Sequence, residues 1–248
     1  MVTITKSFQS LFHFLLPQIC TSCGQNLLTH QPLSLCNDCH FSLPWLGHSC
    51  SICALPLVDN QAKICGQCIQ RPPAFCESKI PFRYEYPLDH LILQFKFQHQ
   101  FAKGKVLSQL MVDFLRDAYK DHLLPDAVIA VPMNPWRRFM RGFNQSELLC
   151  RDISKFLAIP ILTQIVTRKK QLYSQKDSNK KTRQANLKNA FEFRSDKKLH
   201  IRGKHLAVVD DVVTTGTTAR EFSQLLMKNG AASVVVWALA RTPSMNRT

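Results

Sequence analysis

Long apolar runs are missing from this 248-residue chain. No run approaches the roughly 20 apolar residues that a membrane-spanning helix needs, which argues against a transmembrane segment. Residues 1–19 contain a broken apolar patch with Phe8, Leu11 and Leu15, but not the small-residue cleavage site of a signal peptide. We therefore expect a cytoplasmic protein whose amphipathic residues 1–19 dock on the protein itself or, alternatively, contact the inner face of the cytoplasmic membrane.

Acidic residues and glycine are also scarce. Only 17 Asp and Glu stand against 32 Lys and Arg, which gives a formal net charge of +15. Such a charge favours polyanionic partners such as nucleic acid, an anionic membrane or phosphorylated small molecules, although it also serves solubility in general. With only 8 glycines, a glycine inside a motif is informative. The 45% apolar content excludes wholesale disorder, and the length suits a core domain with an accessory module.

Cysteine, by contrast, is abundant and patterned. Eight of the 10 cysteines form four C-x-x-C pairs: Cys20 with Cys23, Cys36 with Cys39, Cys50 with Cys53, and Cys65 with Cys68. Two thiolates on a tight knuckle can face one tetrahedral Zn²⁺, and two knuckles complete a site. Residues 20–75 are therefore predicted to form a zinc-ribbon module with one or two structural zinc ions.

Other arrangements of these cysteines remain open. A disulfide framework is typical of secreted domains, and the missing export signal argues against it. Sequential use of the pairs is the simplest scheme, but a crossed scheme and an empty second site are also compatible with the spacing. Cys76 and Cys150 fall outside the pattern and are expected to act as small apolar residues.

Residues 76–248 are predicted to form an α/β domain. Continuous apolar stretches at 128–131, 204–212 and 233–240 indicate strands buried on both faces, and 159–166 and 190–193 are also strand-like. Apolar residues at helical spacing indicate one or two helices within 87–124 and further helices at 144–158 and 217–230. Buried strands that alternate with helices are typical of a parallel sheet flanked by helices.

The stretch VVDDVVTTGTTA, residues 208–219, places two acids after an apolar strand and a small-residue turn before a helix. In open α/β sheets, ligands bind beyond the carboxyl ends of the strands, and the N–H groups at a helix start bind phosphate. Asp210 and Asp211 would repel a bare phosphate but suit hydroxyl groups or a cation. A ribose 5-phosphate meets both demands, with its phosphate on the turn and its hydroxyls on the acids.

This stretch resembles the motif that binds phosphoribosyl pyrophosphate (PRPP) in type I phosphoribosyltransferases. Together with VPMNPWRRFMRGFNQSELL, RQANLKNAF, ALART and the C-x-x-C pairs before RPPAF, it makes nearly the whole chain similar to the ComF/GntX family. The resemblance implies a type I phosphoribosyltransferase-like parallel sheet with an N-terminal double zinc ribbon. It also links the chain to natural transformation, in which single-stranded DNA enters the cytoplasm.

The resemblance further implies roles for individual residues. Asp210 and Asp211 would be the catalytic pair that binds the ribose hydroxyls. Mg²⁺ would bridge the pyrophosphate and these hydroxyls. The turn after residue 131 would face the pyrophosphate through a strained or cis peptide between Val131 and Met133. The residues implied to bind PRPP or its phosphate are Val213, Thr214, Thr215, Gly216, Thr217, Thr218, Arg141 and Arg183.

Most of the excess positive charge lies late in the chain. The segment from Arg168 to Lys204 contains 13 Lys and Arg against three acids. By resemblance, a loop within it closes over PRPP, although Ser178-Asn179 departs from the usual Leu-Ser of the family. Such a run is often only a solvated surface, but beside a phosphate site we expect it to contact anions. We assign single-stranded DNA binding to Lys169, Lys170, Lys176, Lys180 and Lys181.

These features together predict a competence protein that binds single-stranded DNA and PRPP-type ligands, with other DNA-processing proteins as further partners. One alternative is an active phosphoribosyltransferase that transfers ribose 5-phosphate to an unidentified acceptor. A second alternative is a regulator that senses PRPP without turnover, because fold and motif do not guarantee chemistry.

Overall fold

The computed structural model describes residues 18–27, 33–169 and 190–243. Its cysteine-rich part forms two small units, each with one short helix, α1 (Asn37–Phe41) in the first and α2 (Gly66–Gln70) in the second. Each unit contains one antiparallel bridge, Ile19 with Asn26 and Ser49 with Pro56. Because regular secondary structure is so short here, the cysteine clusters must supply much of the stability of these units.

Seven strands follow in the rest of the described chain. They are β1 (Glu77–Lys79), β2 (Phe82–Arg83), β3 (Ala127–Ala130), β4 (Val166–Arg168), β5 (Phe191–Phe193), β6 (His205–Val213) and β7 (Ser233–Arg241). Five of them form a sheet in the order β1–β7–β6–β3, with β2 also paired to β7, and every pairing in it is parallel. The short strands β4 and β5 pair antiparallel as a separate ribbon.

Helices cover both faces of this sheet. They are α3 (Leu88–Phe97), α4 (Phe101–Ala118), α5 (Pro135–Arg141), α6 (Gln145–Leu157), α7 (Lys198–Ile201) and α8 (Thr217–Lys228), with a 3₁₀ turn at Ser195–Lys197. None of the helices in the described part of the chain is both long and apolar enough to cross a membrane. The α/β architecture predicted from the alternation of apolar strands and helices is confirmed.

Alternate residues of the central strands enter two hydrophobic cores. On β6, Ala207 and Val209 contribute to the core under α3, α4 and α6, whereas Leu206 and Val208 contribute to the core under α8. This alternation explains why β6 and β7 are almost continuously apolar, since both faces of each strand are buried. The first cysteine unit packs into the former core and the second unit into the latter.

One of the strands predicted from the sequence is much shorter in the structure. The strand-like stretch 159–166 forms only one parallel bridge, from Ile161 to Val128, before β4 begins at Val166. Pro160 lacks a backbone N–H and so cannot donate to a ladder, which weakens a strand there. Trp237 of β7 is fully buried, and its Nε1 donates to the hydroxyl of Tyr119 at 3.1 Å.

Candidate functional site

The cysteines of the C-x-x-C pairs lie in two clusters, and the pairing is sequential. The clusters are Cys20, Cys23, Cys36 and Cys39, and Cys50, Cys53, Cys65 and Cys68. Within each cluster the Sγ atoms all lie within 4.8 Å of one another, and none of the described cysteines forms a disulfide. The crossed arrangement and the disulfide framework are therefore excluded.

The spacing of the sulfurs fits tetrahedral Zn²⁺. A Zn–S bond of about 2.3 Å separates two ligand sulfurs by roughly 3.8 Å. The Sγ atoms of Cys23 and Cys36 are 3.9 Å apart, and those of Cys53 and Cys65 are 3.6 Å apart. Both clusters are thus suited to hold structural zinc, which cross-links segments that have little secondary structure of their own.

Backbone amides favour the thiolate form of Cys50 in the second cluster. The N–H of Cys65 donates to Sγ of Cys50 at 3.3 Å. Burial raises the pKa of Cys50, but amide donors from Cys53, Cys65 and Ile52 outweigh it and lower the pKa to about 7. A thiol with this pKa loses its proton to a metal near neutral pH at little cost.

The two acids of the central motif lie at the carboxyl end of β6, as the sequence predicts. Asp211 forms an ion pair with Lys96 of α3, with Oδ2 and Nζ 2.9 Å apart. Asp210 accepts a hydrogen bond from Oγ of Ser146 on α6 at 3.1 Å and from the backbone N–H of Asp211 at 2.9 Å. Helices from one face of the sheet therefore fix both carboxylates near the carboxyl end of β6.

The two carboxyl groups differ in their electrostatic environment. Burial raises the pKa of Asp210 to about 7, and the negative charge of Asp211 acts in the same direction. The amide of Asp211, the charge of Lys96 and the hydroxyl of Ser146 oppose this rise without cancelling it. Asp210 can therefore carry or release a proton near neutral pH, whereas Asp211 faces the ammonium group of Lys96.

We expect Asp210 to make the protein less stable as the pH rises. Its folded-state pKa lies above the ordinary value of 3.8, so between about pH 4 and 7 the folded protein binds more protons than the unfolded chain, and the free energy of unfolding falls across that range. Asp210→Asn keeps a carbonyl oxygen for Ser146 and loses the titration. Urea midpoints of both proteins at about pH 6 and 8 measure the difference, and parallel pH profiles would contradict the assignment.

The turn between β6 and α8 has the conformation that an anion site requires. Gly216 caps the helix start at φ +76°, a left-handed conformation that glycine adopts without strain. Thr214 and Thr215 are exposed, and Oγ1 of Thr215 lies 2.9 Å from Oγ1 of Thr217. The first N–H groups of a helix have no intrahelical acceptor, so the start of α8 offers donors to a phosphate.

A cavity of about 170 Å³ joins the acids to basic side chains. It is smaller than the roughly 300–1,000 Å³ of common small-molecule sites, so it suits a fragment such as a sugar or a phosphate. Residues 131–134 form a further part of its wall. The polar and charged side chains that line it beyond this segment are Lys96, Arg137, Arg141, Asn144, Ser146, Arg168, Asp210, Asp211 and Thr218.

The turn after β3 is rigid without an unusual peptide. The cis peptide recorded in the described residues joins Tyr86 and Pro87, and residues 131–133 have neither a cis bond nor a positive φ. The expectation of a strained or cis peptide at that turn is therefore wrong. Side-chain hydrogen bonds hold it instead, because Nδ2 of Asn144 donates to the carbonyl of Val131 at 3.0 Å and Asn134 caps α5.

The arginines after this turn have different partners. Arg138 forms a forked ion pair with Glu147 at 2.7 and 3.1 Å, so it belongs to the packing of α5 on α6. Arg141 donates to Oε1 of Gln145 at 2.7 Å and lines the cavity, as does Arg137. Of Arg137 and Arg138, therefore, only Arg137 reaches this cavity.

A buried arginine connects the second cysteine cluster to the turn between β6 and α8, residues 214–216, which we call the threonine turn. Arg241, at the end of β7, is only 3% exposed. Its guanidinium donates to the carbonyls of Cys53 and Val213, both at 3.1 Å, to that of Thr242 at 2.9 Å, and to that of Thr214. One side chain thus ties the backbone of a zinc-site residue to the start of the turn.

A second arginine makes a parallel connection from α8. Nη2 of Arg220 donates to Sγ of Cys68 at 3.5 Å, and Nη1 donates to the carbonyl of Arg71 at 2.6 Å. Hydrogen bonds to ligand sulfurs orient and tune zinc sites. The helix that begins at the threonine turn is therefore also anchored on the second cluster.

Only some of the residues predicted to bind phosphate or DNA lie within the described residues. Val213 is buried, and its carbonyl accepts from the backbone N–H of Thr242 at 3.0 Å as well as from Arg241. Lys169 is exposed at the end of β4. The other predicted residues of the basic segment, namely Lys170, Lys176, Lys180, Lys181 and Arg183, lie outside the described residues.

Three residues of the site escaped the sequence analysis. Lys96, Ser146 and Arg241 are far from the acid pair along the chain or carry no motif of their own. Ser146 and Arg241 lie in the quoted stretches VPMNPWRRFMRGFNQSELL and ALART. Arg241 had a further signal, because a charged residue at the end of an apolar strand requires a partner when it is buried.

Comparison with solved structures gives weak matches. Adenine phosphoribosyltransferase from Saccharomyces cerevisiae matches with a TM-score of 0.36 and 14% identity, over 58% of this chain and 72% of that chain. Glutamine PRPP amidotransferase from Bacillus subtilis matches with a TM-score of 0.36 and 17% identity, over 54% and 25%. These likenesses are too distant to carry an argument, and the description of the fold stands on the sheet and its helices.

Sequence relatives are much closer. Residues 11–69 match the double zinc ribbon domain family. Competence protein F of Haemophilus influenzae is 39% identical over 227 residues, which are 90% of this chain and 96% of that protein. DNA utilization protein YhgH of Escherichia coli K12 is 37% identical, over 91% of this chain and 98% of that protein. With its two cysteine clusters, its parallel sheet and these relatives, the chain belongs to the competence protein F family, the ComF/GntX family that its motifs resemble.

Proposed function

We propose that this protein serves DNA uptake by binding single-stranded DNA and a ribose 5-phosphate ligand of the PRPP class. The observation that carries the sugar-phosphate part is the cavity, which brings Asp210, Asp211 and Thr218 together with Lys96, Arg137 and Arg141. Acceptors for hydroxyls and donors for phosphate thus line one small space. The proposal places the protein in the cytoplasm, where incoming single strands arrive.

Each part of the ligand has a matching group in the site. The 5-phosphate would sit on the start of α8, against the hydroxyls of Thr215 and Thr217 and the helix N–H groups. The ribose hydroxyls would donate to Asp210 and Asp211. The diphosphate would then extend towards Arg137 and Arg141, where guanidinium groups can bind phosphate through paired hydrogen bonds.

Magnesium fits this donor set. Mg²⁺ takes oxygen ligands and is commonly held by one or two carboxylates together with substrate phosphates. Asp210 and Asp211 are the carboxylates that would hold it, and the bound ion would supply charge neutralisation at the diphosphate. The ion pair with Lys96 positions the carboxylate of Asp211 before the ion binds.

Replacing both acids tests the sugar-phosphate proposal. We expect Asp210→Asn combined with Asp211→Asn to lower PRPP affinity by about hundredfold or more, because two hydrogen bonds to charged acceptors are weakened, each worth roughly 1.5–3 kcal/mol. Isothermal titration with PRPP and Mg²⁺ measures the affinity, and circular dichroism confirms the fold. Asp117→Asn, at an exposed position of α4, is the matched control. Unchanged PRPP binding by the double variant would remove the acids from the site.

The DNA part of the proposal is supported by charge and by family. The net charge of +15 favours polyanions, and the relatives carry the names competence protein F and DNA utilization protein. Phosphate contacts release counterions, so affinity for an oligonucleotide should fall steeply as salt is added. Anisotropy titrations with labelled oligothymidylate at several salt concentrations test this, and affinity that is independent of salt would contradict DNA binding through the positive charge.

Transfer chemistry is a separate candidate that the same site would support. Asp210 has a pKa near 7 and lies in the same cavity as Lys96, Arg137 and Arg141. An acid beside several cations is a typical arrangement for proton transfer and charge stabilisation. Release of pyrophosphate from PRPP in the presence of Mg²⁺ and candidate bases or DNA ends would establish an enzyme. Tight PRPP binding without release would instead indicate a sensor or adaptor.

A further inference from the structure

Large apolar side chains stay exposed on a surface beside the acid cavity. Trp136 and Phe139 of α5 are 68% and 78% exposed, and their rings stack with centroids 6.0 Å apart and planes 28° apart. Phe97 of α3 and Met140 of α5 are 63% and 64% exposed. We call these four residues the aromatic platform.

The described part of the fold makes little use of this platform for packing. None of the seven residues of α5 is buried, although four of them are aromatic, proline or methionine. Exposed groups of this kind are uncommon on soluble proteins unless they bind something. The helix is instead held by the cap at Asn134, at its start, and by the fork from Arg138, at its middle, to Glu147. α5 therefore presents its rings outward from a fixed base.

Positive charge surrounds the rings. A groove of about 660 Å³ lies along the platform and is lined by Lys96, Phe97, His99, Trp136, Arg137, Met140 and Arg141, without a carboxylate among them. The guanidinium of Arg141 lies 4.7 Å from the centroid of the Phe97 ring. Lys96, Arg137 and Arg141 line both this groove and the acid cavity, so the two spaces are adjacent.

The pairing of stacked rings with cations selects one kind of occupant. Sequence-tolerant single-strand sites combine a basic groove that follows the backbone with aromatic rings on which bases stack. Duplex DNA hides the faces of its bases, and an apolar protein partner does not require three cations along its edge. An anionic lipid surface would meet the charge but would not favour stacked rings over aliphatic side chains.

We infer that the aromatic platform is the surface that holds single-stranded DNA. Bases stack on Trp136 and Phe139, and the backbone phosphates contact Arg137, which is exposed beside them. The inference rests on the proposed DNA function and names its site as α5 instead of the lysines between residues 169 and 181. It also sets the bound strand next to the sugar-phosphate cavity, through the cations that the two spaces share.

Substitution of Trp136 tests the inference in the full-length protein. Stacking is worth roughly 1–3 kcal/mol per base, which converts to an affinity loss of at least about fivefold for Trp136→Ala on oligothymidylate. An abasic oligonucleotide of the same length has the same phosphates without bases, and its affinity should stay unchanged. Trp136→Phe retains a ring and should bind nearly as wild type. Phe41→Ala, at an aromatic position of α1 that is 80% exposed, is the matched control.

The outcomes separate this inference from the function on which it rests. If wild type binds neither oligonucleotide, the proposed DNA function fails. If wild type binds and Trp136→Ala binds oligothymidylate equally well, DNA is held elsewhere and the platform assignment is overturned. A Trp136→Ala effect that is equal for the abasic strand, or that appears only as a change in self-association on sedimentation, also overturns it. Quenching of Trp136 emission by oligothymidylate, lost in Trp136→Phe, supports direct stacking.

Discussion

Replacing Arg241 with methionine is expected to lower the free energy of unfolding by at least about 3 kcal/mol. The guanidinium is buried and donates to four carbonyls, those of Cys53, Val213, Thr214 and Thr242. Methionine fills similar space but donates nothing. The carbonyl of Val213 keeps the N–H of Thr242 as a donor, so three carbonyls lose the donor that Arg241 supplies, and each of them that stays buried without a partner costs roughly 1–3 kcal/mol. Urea unfolding followed by circular dichroism measures the loss.

The same substitution should also disturb the position of the threonine turn. Because Arg241 holds the carbonyls of Val213 and Thr214, its loss removes a fixed point just before the phosphate donors. We expect PRPP affinity to fall about tenfold or more at a temperature where the variant is still folded, since donors must be positioned before the ligand arrives. Arg241→Lys should recover only part of either property, because a single ammonium cannot reproduce the planar fork of a guanidinium.

An exposed arginine on the same sheet provides the control for Arg241. Arg83 of β2 pairs with Glu85 at 3.6 Å, and both side chains are nearly half exposed. Such surface pairs contribute at most about 1 kcal/mol, so Arg83→Met should change neither the urea midpoint nor PRPP binding appreciably. Equal effects at positions 83 and 241 would mean that the loss of charge, and not the four carbonyls, determines the result.

The parts of the fold that the sequence predicts are those governed by local pattern. β6 and β7 are recognisable because both faces of each strand are buried, which requires nearly continuous apolar residues. The acid pair and the glycine of the turn are recognisable because a ligand site at a strand end needs polar groups where the apolar pattern stops. The cysteine clusters are recognisable because the two cysteines of each C-x-x-C pair are close enough in sequence to bind one metal ion.

The parts that the sequence does not predict depend on contacts between distant segments. Lys96 meets Asp211 and Arg241 meets Cys53 only once the sheet and helices have packed. Trp237 lies in a continuous apolar run and is buried, but Trp136 lies among arginines and apolar residues, a pattern that fits either burial or exposure. Residue type alone does not distinguish these cases, since burial depends on which helix covers which face. The platform therefore becomes visible only in the structure.

We expect loss of zinc from the second cluster to disturb the proposed phosphate site. Loss of zinc from the first cluster should leave that site intact. Cys53→Ser removes a buried ligand whose carbonyl accepts from Arg241, and the same cluster contains Cys68, which accepts from Arg220 at the start of α8. Structural zinc contributes folding energy directly, so this unit should loosen and release its two arginine partners. We expect one zinc equivalent to be lost and PRPP affinity to fall by about tenfold or more.

Cys36→Ser provides the matched comparison in the first cluster. This cluster packs into the core under α3, α4 and α6. The variant should lose one zinc equivalent and become sensitive to protease around residues 20–39, while PRPP affinity stays within about twofold of wild type. Metal analysis by mass spectrometry and titration with PRPP measure both properties in each variant. Equal losses of affinity in the two variants would show that zinc acts through the general stability of the chain. A loss confined to Cys53→Ser is what the two arginine connections predict, because both run from the second cluster to the turn proposed to bind phosphate or to the helix that follows it.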